Sequence, residues 1–152
     1  MDVTKSIELL RLELDREDFC IKAFEDILAD LAEPNSPRII QPLLSLFRDD
    51  FLFDEAFFSV MHTIENFDHG TYSRELLSGL GALQRASKEW LGILVHRVVN
   101  KSECYEFFLV EAKSLGDDES LTALKQAAQE MERSFDTGHG LKLARDLGFQ
   151  QT

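Results

Sequence analysis

Apolar residues recur along the chain at every third or fourth position, and no useful stretch alternates apolar and polar residues as a half-buried strand does. The fold class is therefore all-α. Ile7, Leu10 and Leu14 share one stripe and predict a helix from about Thr4 to Leu14, while Phe19, Ala23, Ile27 and Leu31 step by four in a second, from Arg16 to Ala32. Glu33, Pro34, Asn35 and Ser36 break that pattern. Ser36 is a good N-cap and Pro37 suits a first helical position, so a third helix carries Ile39, Ile40, Leu43, Leu44 and Phe47 inward. A fourth begins near Asp54, whose carboxylate can cap it and oppose its dipole, and runs to about Phe67, where Asp68, His69 and Gly70 end it. Ser73 to Leu83 predicts a short fifth helix weakened by Gly79 and Gly81; Ser87 to Asn100 predicts a sixth capped by Ser87, and Ser102 to Leu115 a seventh. Gly116 stops the seventh, Asp117 and Asp118 open an eighth reaching about Phe135, and Gly138 and Gly140 set off a last helix at Leu141 to Leu147.

These elements repeat. Leu43-Leu44, Leu76-Leu77 and Phe107-Phe108 recur at spacings of 33 and 31, and Phe57-Phe58, Trp90-Leu91 and Leu121 keep step in the partner helices. Two helices per unit with a period in the low thirties predict a HEAT-like α-solenoid of about four antiparallel helix pairs. An irregular helical bundle is the competing reading, because similar helices joined by short loops produce such spacings by chance. At 152 residues and 44% hydrophobic content the chain fits a single domain over 1–152, able to bury roughly 70% of its unfolded surface.

Charge narrows the partners. The chain carries 28 acidic and 16 basic residues, a net charge of −12, which disfavours direct contact with a nucleic-acid backbone. Residues 1–70 hold 16 Asp and Glu against 6 Lys and Arg, so most of the excess lies in the first half. It either keeps the protein soluble or forms a negative face that steers a basic partner. Cys20 and Cys104 have neither CxxC spacing nor a nearby His, and read as buried reduced thiols. The opening MDVTKSIELL has acids where a secretory signal is basic, and no apolar run approaches the ~20 residues that span a bilayer, which points to the cytoplasm and no membrane contact.

Chemistry-bearing patterns are sparse. His62, Glu65 and His69 fall near one helical face, but the chain has neither the HExxH zinc pair nor the Glu-x-x-His di-iron pattern. No GxSxG elbow or phosphate-cradling glycine motif occurs, and the adjacent acids at helix starts fit capping and dipole chemistry. The reading therefore has no catalytic residue, no metal and no cofactor.

What stands out is FRDDFLFDEAFFSVMHTIENF, Phe47 to Phe67, with six of the twelve phenylalanines around Asp49, Asp50, Asp54 and Glu55. Phe57, Met61 and Ile64 share a core face, which sets Phe58 about 100° round the helix, while Phe51 and Phe53 fall in the connection before it. These rings either staple the loop to its neighbour or remain exposed as anchors ringed by acids. Trp90 carries the same choice, with burial favoured.

The segment LLSLFRDDFLFDEAFFSVMHTIENF, with the Tyr72 to Leu83 and Trp90 helices, resembles HEAT-like immunity proteins of bacterial polymorphic toxin and contact-dependent growth inhibition systems, particularly the immunity protein 30 family. The resembling features are the acidic-aromatic lead-in, Asp54-Glu55-x-x-Phe58, and His62 with Glu65, over roughly Leu43 to Asn100. The resemblance implies a non-enzymatic cytosolic antidote that binds a cognate toxin C-terminal domain, among which basic nucleases are common. It supplies no site residues. From charge and aromaticity the candidate toxin-binding residues are Asp49, Asp50, Phe51, Phe53, Asp54, Glu55 and Phe58. A helical-repeat adaptor without a toxin partner is the alternative, and a metal-dependent helical enzyme using His62, Glu65 and His69 is a third reading.

Overall fold

A computed structural model of the chain describes residues 2–50 and 54–149. The described residues form the helices α1 (Val3–Leu14), α2 (Ile21–Ala32), α3 (Ile40–Leu44, entered through a 3-10 turn at Pro37–Ile39), α4 (Asp54–Glu65), α5 (His69–Ala86), α6 (Lys88–Val99), α7 (Ser102–Lys113), α8 (Asp118–Ser134) and α9 (His139–Asp146), and no strand. The protein is all-α. Among the described residues no helix is long and apolar enough to cross a membrane.

Several helix starts follow directly from short polar side chains. Ser87 accepts the Trp90 N–H (3.2 Å) to cap α6, Asp117 accepts the Ser120 N–H (2.8 Å) to cap α8, and Ser36 accepts the Arg38 N–H (3.4 Å) ahead of Pro37. The second helix starts later than its apolar steps predict, at Ile21. Glu13, buried at the end of α1, accepts the Cys20 N–H (3.0 Å) and pairs with Arg16 (3.1 Å), so the connection is clipped in a non-helical path. Cys20 is exposed there, contrary to the expected burial, while Cys104 is buried; both thiols are free.

The largest departure is α5, which is the longest of these helices rather than a short one. Asp68 does not end the preceding segment but caps α5, accepting both the Thr71 N–H (2.9 Å) and hydroxyl (2.7 Å). Gly79 does not break the helix because α3 crosses there: a Cβ on it would stand 2.9 Å from Gln41 Oε1 and 3.0 Å from Leu44 Cδ1. Close approach of two helices outweighs the roughly 1 kcal/mol propensity cost of glycine.

Helices touch not only their chain neighbours but also the helix two places on. α1 meets α3, α3 meets α5 and α5 meets α7, while α2 meets α4 and α6 meets α8; α9 folds back on α8 and α6. Polar contacts carry the same register. Arg11 bonds Ser45, Arg48 bonds Asp15, Gln41 bonds the Glu75 carbonyl, Arg97 bonds Glu65 and Arg85 bonds Glu119, each across 32 to 34 residues. The apolar repeat follows this stacking only in part: Leu43, Leu44, Leu76, Leu77 and Phe108 are buried, but Phe107 on α7 is 52% exposed.

Candidate functional site

The aromatic segment divides on the two sides of α4. Phe57 is fully buried and packs on Phe47 and Trp90 with ring centroids 5.4 and 5.5 Å away, and Phe67 also joins the core. Trp90, 3% exposed, also lies 5.2 Å from Phe47, so one aromatic cluster links the end of α3 to α4 and α6. Phe58, one position on, points elsewhere. Its ring meets Trp90 edge-on at 5.2 Å and 74°, yet 41% of the residue is exposed. Trp90 thus supports Phe58 at the surface from beneath.

Asp54 and Glu55 stand one turn before Phe58, at i−4 and i−3, and share its face of α4. Both are exposed in the first helical turn, where the dipole favours their charge. Neither makes an ion pair or hydrogen bond among the described residues. Asp54 is itself helical, so it lies within α4 rather than serving as the cap before it.

Asp49 and Asp50 behave differently, since both are engaged within the protein. Asp49 accepts the Ser87 hydroxyl at 2.5 Å, and Asp50 pairs with Arg48 at 3.2 Å, which also holds Asp15. Phe51 and Phe53 lie outside the described residues. Of the seven candidates, the structure brings Asp54, Glu55 and Phe58 together on one exposed face of α4, with no side-chain partner for the two acids among the described residues.

A groove of about 410 Å³ runs from Phe58 across α6 to the end of α8. Glu89, Ile93, His96 and Arg97 of α6 line it at helical spacing, and Phe135 closes the far side. His96 stacks on Phe135 at 4.1 Å and 18°; burial, then nearby His139 and Arg97, hold its pKa below the usual 6.5. Arg97 is clamped by Glu65 through two bonds of 2.8 Å. Of the groove's lining, only Phe58 stands among the sequence candidates. Glu89, Ile93 and His96 do step by i, i+4 and i+7, but Phe135 joins them only through tertiary packing.

The three candidate metal ligands face different partners. His62 is exposed, Glu65 is held by Arg97, and His69 Nε2 lies 3.7 Å from Glu103. Among the described residues no group of three or more His, Cys, Asp or Glu could hold a metal ion.

The sequence model of the immunity protein 30 family matches residues 11–108. The chain belongs to the immunity protein 30 family. The match reaches beyond the Leu43 to Asn100 resemblance to take in α2 and part of α1, so these N-terminal elements belong to the family unit. It includes Asp54, Glu55, Phe58 and Trp90, whereas α8 and α9 lie past its end. As an immunity protein the chain has a toxin as its implied partner. No curated protein and no solved structure matches it.

Proposed function

We propose that this immunity protein neutralises a cognate toxin by stoichiometric binding, without catalysis, in the cytoplasm of a cell that carries a contact-dependent growth inhibition or related polymorphic toxin system. The partner is the toxin's C-terminal domain, and a basic nuclease domain fits the charge best. The observation that carries this reading is the pair of exposed carboxylates, Asp54 and Glu55, without a side-chain partner among the described residues and beside half-exposed Phe58.

An acidic edge raises the association rate with a basic partner by about 10–1,000-fold at low salt, which suits an antidote that must act before damage is done. A desolvated aromatic supplies the short-range term, and Phe58 is already held in place by Trp90. Asp49, Asp50, Phe51 and Phe53 precede this edge in sequence; Asp49 and Asp50, held by Ser87 and Arg48, contribute negative potential. The contacts between helices two places apart, with polar ties 32 to 34 residues apart, support a HEAT-like stack that presents one helix per pair to the partner.

Co-expression with the cognate toxin domain, which the reading expects to be encoded nearby, tests it. The wild-type chain restores growth and copurifies with the toxin in equimolar amounts. Growth arrest despite normal expression of the chain contradicts it.

A further inference from the structure

We propose that the groove between Phe58 and Phe135 seats an arginine side chain of the partner, with Glu89 as its counter-charge. This rests on the toxin-binding reading and adds to it a second contact and a named chemistry. At about 410 Å³ the groove lies within the roughly 300–1,000 Å³ of ligand clefts. Its walls are aromatic at both ends, half-exposed Phe58 on α4 and partly buried Phe135 after α8, with partly buried Ile93 between them.

Charge decides what such a groove accepts. Its cation, Arg97, is satisfied by two bonds to Glu65, and His96 is stacked on Phe135. Glu89, in the first turn of α6, is exposed and makes no ion pair or hydrogen bond among the described residues. Asp54 and Glu55, one turn before Phe58 on α4, lie outside the groove's lining and add negative charge nearby. An acidic side chain would be repelled by Glu89, and a purely apolar one would strip water from it with no compensating partner. A cation on an apolar stem satisfies both the walls and the carboxylate. Arginine fits better than lysine, because its planar, weakly hydrated guanidinium stacks on aromatic rings and binds a carboxylate through two parallel bonds.

The test uses the intact chain with carbon-13-labelled isoleucine methyls, titrated at low salt with hexa-arginine, hexalysine and hexaglutamate peptides. Hexa-arginine shifts the Ile93 methyl signal and binds more tightly than hexalysine, and hexaglutamate does nothing. Glu89→Gln weakens hexa-arginine binding about tenfold while leaving the remaining methyl signals in place. An unmoved Ile93 signal, equal binding of the two basic peptides, or unchanged affinity in Glu89→Gln overturns the assignment. Toxin protection is scored separately. A chain that protects cells but fails this titration keeps its antidote role and loses the arginine seat, whereas one that passes without protecting keeps the seat and loses the toxin.

Discussion

The Ser87 hydroxyl donates to Asp49 Oδ1 across 2.5 Å, while the same oxygen accepts the Trp90 N–H and caps α6. One side chain therefore fixes the link after α3 to the start of α6 and sets the helix that carries Trp90. Ser87→Ala removes both bonds, and is expected to cost about 1–2 kcal/mol in urea unfolding. Asp49→Asn keeps the cap and costs less. An unchanged midpoint in Ser87→Ala contradicts this assignment.

Trp90 and Phe58 separate stability from binding. Trp90→Ala empties the centre of the Phe47, Phe57 and Phe58 cluster, and is expected to cost about 3–5 kcal/mol. Phe58→Ala is expected to cost well under half as much in the same unfolding experiment, because the ring is 41% exposed. Equal losses would place Phe58 in the core.

Two glycines should respond in opposite directions. A Cβ at Gly140 would lie 2.2 Å from the Ala128 carbonyl oxygen, a backbone atom that cannot swing aside, so Gly140→Ala should destabilise by about 1–3 kcal/mol. Gly116 has no atom within 4 Å of such a Cβ and no positive φ, so Gly116→Ala should be neutral or stabilise by up to about 1 kcal/mol. Calorimetric melting of the two variants checks both, and a melting temperature for Gly140→Ala at or above wild type would refute the close approach of α9 to α8.

Histidine 96 gives a pH signature. Burial, then His139 and Arg97, lower its pKa from 6.5, so the unfolded chain takes up this proton before the folded one does. The neutral ring's contribution to stability is complete above about pH 6.5 and is lost as pH falls from there through the lower folded value. Asp68 and Asp117, whose pKa values are lowered by hydrogen bonds from Thr71 and Ser120, act instead below about 3.8. Between pH 7.5 and 5.5 the melting temperature of wild type should fall more than that of His96→Gln; parallel curves would mean His96 titrates normally.

Much of the fold was legible because local rules decide it. The stripe Ile7, Leu10 and Leu14, the Ser36, Ser87 and Asp117 caps, and the burial of Phe47, Phe57 and Phe67 all follow from spacing and short polar side chains. The start of α5 was missed because an Asp after a helix reads as a stop and as a cap equally well, and only its bonds to Thr71 decide between them. Gly79 was misread because its neighbour, Gln41, belongs to α3, far away in sequence. The candidate site was half legible. Asp54, Glu55 and Phe58 stand out by helical spacing, but the engagement of Asp49 depends on Ser87, 38 residues away, and the groove needs Phe135 from beyond the family match.

The central claim is that Asp54, Glu55 and Phe58 form the toxin-binding edge, and stopped-flow association with the cognate toxin domain across a salt series tests it most directly. Asp54→Lys with Glu55→Lys is expected to slow association at least tenfold at low salt and to flatten its salt dependence, while Phe58→Ala leaves association nearly unchanged and speeds dissociation. The control is Leu12→Ala, an exposed apolar residue on α1, which should change neither rate. Wild-type association and dissociation rates in both the double charge reversal and Phe58→Ala would contradict the account.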